Sequence, residues 1–156
     1  MREAYRIYEG IADSYKMQSV ILRMAMCYSS IRDYGEAEKY YLALLDFSDI
    51  DSLIESYALS GYAFMKVISY DFHTGLNIYE SLINRDSNAM TDQDYWAYSY
   101  ALCASGRQKD ADELIRNLDK ETSDALYWQY RICKTRGNID KALDFLEKSN
   151  LSDNEI

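Results

Sequence analysis

A small residue returns along this chain at a near-constant interval, and that recurrence limits the possible folds more than any other feature. Ala4, Ala37, Gly75, Ala111 and Ala142 are separated by 33, 38, 36 and 31 residues. The mean, about 34.5 residues, falls among the periods that mark stacked supersecondary units. Four positions beyond each stands a bulkier side chain: Tyr8, Tyr41, Tyr79, Ile115 and Leu146. The pairing has a mechanical reading. A small residue lets two helices of a hairpin cross closely, and the bulky one fills the space to the next hairpin.

Between these positions the apolar pattern is helical. Met17, Val20, Ile21, Met24, Ala25, Tyr28 and Ile31 follow the i, i+3, i+4, i+7 spacing of one helix face. Ala37, Tyr40, Tyr41, Leu44 and Leu45 repeat it after a break near Gly35. Proline is absent, where average usage would supply roughly eight. Longer and shorter helices are expected to alternate: 52–70 with 73–84, 92–105 with 108–120, and 123–136 with 139–148. Ser52 with Glu55, and Thr91 with Asp94, have the spacing of a capping box. Gly106 and Gly137 stand where a helix must stop and turn. The fold class expected is all-α.

The segment Asp33-Tyr34-Gly35-Glu36-Ala37 resembles the turn into the second helix of a tetratricopeptide repeat, as do residues 106–111 and 137–142. The first-helix pattern of that family is matched best by Ile21, Met24, Ala25 and Tyr28. The later repeats depart from it. Lys66 and Leu102 stand where an aromatic is usual, the fourth repeat offers Leu126, Gln129, Tyr130 and Cys133, and the family's common proline is missing throughout. The resemblance spans nearly the whole chain. It implies a right-handed αα-superhelix of antiparallel helix hairpins in a single domain, 1–156. Its parts would be a half repeat at 1–13, repeats at 17–48, 52–84, 92–120 and 123–148, and a polar tail at 149–156.

Both ends of the array are unusual for a stack of hairpins, which normally finishes in a polar cap. Residues 1–13, with Ala4, Tyr8 and Ile11, look like a second helix without its first. Leu143, Phe145 and Leu146 are followed only by the tail. The expectation is a piece of a longer array, with self-association through an end face as the alternative.

Seventeen basic and 26 acidic residues give a net charge of −9. That argues against general binding to nucleic acid or an anionic membrane surface. No apolar stretch approaches the length of a membrane span, so no membrane insertion is expected. Cys27, Cys103 and Cys133 are widely spaced without a CxxC pair, which suits neither a disulfide framework nor a zinc site. Arg2, Glu3, Arg6, Glu9, Asp13 and Lys16 leave no secretory apolar core among the first twenty residues. A cytoplasmic setting is the expectation. His73, the single histidine, stands beside Asp71 at a turn and reads as a solvated turn residue. Catalysis, a metal and a cofactor are therefore not expected.

Recognition is the better prospect. In the implied superhelix the first helices line the inner wall, and helical phase selects Ser19, Leu22 and Met26, then Tyr57, Ser60 and Phe64. Gln93, Trp96 and Tyr100 follow, then Asp124, Tyr127, Arg131 and Lys134. Tyr57, Phe64, Trp96, Tyr100 and Tyr127 would supply rigid contact area of the kind enriched at binding hot spots. Arg131 and Lys134, one turn apart, would receive acidic groups of a partner. Tyr28, Tyr41, Tyr62, Tyr79 and Tyr98 are expected to pack between repeats instead. The function expected is a non-catalytic protein- or peptide-binding scaffold of a larger regulatory or assembly protein. The alternative is a structural or oligomerisation segment that forms a homo-oligomer through its terminal repeats.

Overall fold

The computed structural model describes residues 2–85 and 89–149, with side chains from Asp13 onward. The side chains of Ala4, Tyr8 and Ile11 and the tail beyond Ser149 lie outside the described residues. Among those described there are eight α-helices and no strand: α1 (Arg2–Ser30), α2 (Tyr34–Leu45), α3 (Ser52–Ile68), α4 (Phe72–Arg85), α5 (Asp92–Ala104), α6 (Gln108–Leu114), α7 (Ser123–Thr135) and α8 (Ile139–Ser149). None of them is long and apolar enough to cross a membrane.

The helices pair as four hairpins, α1 with α2, α3 with α4, α5 with α6 and α7 with α8. Neighbouring hairpins meet through their odd-numbered helices: α1 on α3, α3 on α5, α5 on α7. Additional contacts join α2 to α3 and α4 to α5, whereas α6 does not reach α7.

One backbone device closes all four hairpins. At Arg32, Tyr70, Gly106 and Gly137 the chain takes a left-handed φ of 62°, 67°, 83° and 74°. In each case the amide of that residue donates three residues back, and the next amide donates five residues back from its own position. Arg32 to Ser29 and Asp33 to Tyr28 are matched by Gly137 to Lys134 and Asn138 to Cys133. This Schellman turn satisfies carbonyls that the helix end would leave orphaned.

Close crossing inside the hairpins explains the recurring small residues. Ala37, Ala111 and Ala142 are buried, as is Gly75. A Cβ on Gly75 would stand 2.7 Å from Cγ2 of Val67 and 3.3 Å from the Ala63 carbonyl. The bulky partners then fill the gaps between hairpins. Tyr41 and Tyr79 are sealed in the core, and Tyr41 packs its ring 5.6 Å from that of Tyr62.

Three expectations need correction. The half repeat at 1–13 and the first helix after it are one continuous helix, because no glycine or proline interrupts residues 11–30. The second helix expected over 108–120 stops at Leu114, and the chain then turns through residues 115–122. Asp51, not Ser52, caps α3: its carboxylate accepts from the amides of Leu53 and Ile54. Glu55 is drawn instead into a two-pronged ion pair with Arg85 of α4, at 2.9 and 2.7 Å. The Thr91–Asp94 capping box is present in full.

A polar junction locks α2 to α3. The Tyr62 hydroxyl donates to Glu38 at 2.6 Å, and Lys66 bridges Glu38 and Asp71 at 2.7 and 3.4 Å. Burial, reinforced by the bond to Glu38, pushes the Tyr62 hydroxyl up to about 12. A phenol that holds its proton more tightly when folded adds stability that is complete below its unfolded pKa of about 10. That contribution drains away as pH rises through about 12. The urea midpoint is therefore expected to fall across that window, and Tyr62→Phe should flatten the fall. An equal slope in the variant would refute the assignment.

Candidate partner-binding groove

The odd-numbered helices turn one side toward a shared trough made of two recesses. The first, about 760 Å³, is lined from α1 and α3, with Ser19, Leu22, Met26, Tyr57 and Ser60 along its walls. The second, about 710 Å³, is lined from α3, α5 and α7, with Phe64, Tyr100, Tyr127, Arg131 and Lys134. Both include Arg32, Tyr34, Phe64, Ile68 and Gln93, so they form one continuous groove.

Every residue selected by helical phase lines this groove except Trp96. Trp96 is 2% exposed and belongs to the core, so it presents no surface to a guest. The reason is the crowding of α5, which touches α3, α4, α6 and α7. Nine of its 13 residues are buried, Asp94, Trp96 and the unbroken run from Ala97 to Cys103. A helix covered on all sides has no free stripe. Tyr100 is buried as well, but its ring forms the floor of the second recess. Tyr57 is 53% exposed, while Phe64 and Tyr127 are half-buried.

The floor of the second recess is an aromatic cluster. Trp128 meets Phe64 edge-on at 5.9 Å and lies 5.8 Å from Tyr100 and 5.7 Å from Tyr127. Phe72 continues the cluster to Tyr100 at 5.4 Å and to Tyr70 at 6.0 Å. Arg131 sits among these rings, its guanidinium carbon 4.3 Å from the Tyr100 centroid and 5.2 Å from Trp128. Tyr70 and Tyr127 each stand 5.7 Å away. Ring faces hold a cation by their quadrupole and leave the in-plane N–H groups of a guanidinium unused. Among the described residues Arg131 has neither an ion pair nor a hydrogen bond; its contacts are to rings alone.

Lys39, Lys66, Arg85, Arg107, Arg136 and Lys148 each pair with a carboxylate elsewhere on the chain. The cations that line the groove, Arg23, Arg32, Arg131 and Lys134, form no ion pair among the described residues. Lys134 donates to the Tyr130 hydroxyl at 3.0 Å, which raises its pKa and holds it protonated. Two carboxylates border the groove, Asp94 and Asp124. Asp94 is occupied: it accepts from Ser60 at 2.8 Å, Tyr79 at 3.2 Å, and the amide and hydroxyl of Thr91 at 2.9 and 2.7 Å.

Arg32 and Tyr70 escape a helical-phase reading because they lie in turns. Their signal is positional. Aligned on the hairpin ends, 32 and 70 fall where 106 and 137 are glycine. Only glycine enters the left-handed region without steric cost, so a bulky residue there carries strain of about 1–2 kcal/mol. Both strained residues line the second recess.

His73 is exposed, with the Asn77 amide 3.4 Å from its ring nitrogen as its neighbour, while Asp71 is engaged by Lys66 and the Thr74 amide. Burial pushes the thiols of Cys103 and Cys133 up, away from the reactive thiolate. No group of three potential metal ligands occurs among the described residues. No protein-family model, curated protein or solved structure matches the chain.

Proposed function

We propose that the chain is a non-catalytic protein- or peptide-binding module, a tetratricopeptide-like right-handed superhelix of hairpins that works within a larger regulatory or assembly protein in the cytoplasm. The observation that carries this reading is the continuity of the groove from α1 to α7. Tyr57, Phe64 and Tyr127 would bury partner side chains, and tyrosine hydroxyls would fix register.

The test is selection of a random displayed peptide library on the immobilised chain, followed by affinity measurement on Tyr57→Ala and Met26→Ala. Both side chains are more than half exposed, so helix content should not change. Enriched peptides are expected to lose at least about tenfold in affinity. Equal affinity for both variants would place binding outside the groove and reject the proposal.

A second reading draws on the end faces. Val20 on α1 and Ile31 in the turn after it are 56% and 71% exposed, and Ile139 and Leu143 on α8 are 54% and 52% exposed. Under that reading the chain assembles through these faces. A mass that rises with concentration and reverts in Val20→Glu would favour it.

A further inference from the structure

We propose that the second recess receives an extended acidic segment of a partner, one carboxylate engaging Arg131 and Lys134 and another engaging Arg32. The inference rests on the groove reading above and names the chemistry of its guest.

Arg131 carries the argument. Its guanidinium carbon lies 4.3–5.7 Å from four ring centroids, and among the described residues it has no hydrogen bond or ion pair. A half-buried guanidinium in that state is a fork with its tines unfilled, and a carboxylate is the group whose two oxygens match it. Lys134, one turn along α7, lines the same recess.

The placement of charge points the same way. Among the described residues six cations pair with carboxylates of the chain. Unpaired cations also occur elsewhere on the surface, but Arg32, Arg131 and Lys134 are three unpaired ones that line a single recess. A guest that supplies the missing charges is complementary to them, whereas a basic guest would meet like charge.

Two details favour an extended guest over a single compact dianion. Arg32 lies in the turn between α1 and α2 and Arg131 on α7, and neither α1 nor α2 touches α7. One anion would have to be met from two elements that do not touch, while successive side chains of an extended segment reach both. Second, Arg32 and Tyr70 occupy left-handed positions that are glycine in the other two hairpins. The backbone bears that strain where the side chain faces the recess, a distribution that packing alone does not require.

The test uses the peptides enriched on the intact chain, together with synthetic copies in which Asp and Glu become Asn and Gln. Enrichment is expected for two acidic residues flanking an aromatic or aliphatic one. The amide copies should bind at least about tenfold more weakly. Arg131→Gln should cost a similar factor, and Arg32→Gln and Lys134→Gln less each. Arg131→Lys, which keeps the charge but loses the fork, is expected to recover only part of the affinity. Binding of the acidic peptides should weaken between about 0.1 M and about 1 M salt. A copy with one phosphoserine in place of both acids tests the compact dianion, and stronger binding of that copy would overturn the proposal.

Neutral or basic enriched peptides, or amide copies that bind as well as the acidic ones, would also overturn it. If those peptides still lost affinity on Tyr57→Ala, the groove reading would stand and only its acidic guest would fall. Should Arg131→Gln unfold, the exposed Arg32 and Lys134 variants carry the same decision.

Discussion

Trp96→Ala should come close to unfolding the chain, although the residue lies in helical phase with the groove wall. Its ring is 2% exposed within the larger core cluster, together with Ala97, Leu102 and Trp128. Truncating a buried aromatic removes its transfer free energy and leaves a cavity, at a combined cost of about 3–5 kcal/mol. A domain of this size has a total stability on the order of 5–15 kcal/mol. The urea midpoint, followed by helical circular dichroism, is the measurement. A loss of less than about 1 kcal/mol would mean that the ring is surface and that the groove extends under α5.

Asp94→Ala is the second large effect. The side chain is 4% exposed and joins three helices: Ser60 on α3, Tyr79 on α4 and Thr91 at the start of α5. Its removal takes away the carboxylate half of the α5 capping box, though Thr91 still caps the helix, and leaves the fully buried Tyr79 hydroxyl without its acceptor. Hydrogen bonds to a charged group and the cost of an orphaned buried partner together give a loss of about 3 kcal/mol. Adding Tyr79→Phe removes the orphan, so the double variant should lose less than the sum of the two single ones. Strict additivity would show that the two groups act independently.

The repeat interval found the small residues because a steric requirement fixes them. The Gly75 position tolerates no Cβ, and Ala37, Ala111 and Ala142 are sealed. The left-handed ends at Gly106 and Gly137 were legible for a similar reason, since the backbone there favours one residue type. Helix lengths were not. The boundary near residue 13 came from repeat arithmetic, and the helix runs straight through it, Gly10 included. The early stop of α6 falls before Asn117 and Asp119, whose side chains favour turns; the Asp119 carboxylate accepts from the Glu121 amide at 2.9 Å.

Helical phase placed Tyr57, Phe64, Tyr100, Tyr127, Arg131 and Lys134 on the side where the two recesses lie, because phase is local. Phase does not reveal how many neighbours surround a helix, so Trp96 was misplaced. The run of α5 from Tyr95 to Ala104, apolar except for Ser99, was the available warning. Arg32 and Tyr70 needed a comparison of the four turns, which periodicity does not make.

The missing contact between α6 and α7 has a mechanical consequence. The last hairpin rests its backbone on α5 alone. Its side-chain ties include the Arg136–Asp112 ion pair, at 2.7 Å, the Phe64–Trp128 edge contact and Arg131 over the Tyr70 ring. Such a unit can detach as a cooperative piece below the free energy of global unfolding. Amide hydrogens of α7 and α8 should therefore exchange sooner than those of α3 and α5. Since α7 bears Arg131, any such opening would also widen the trough.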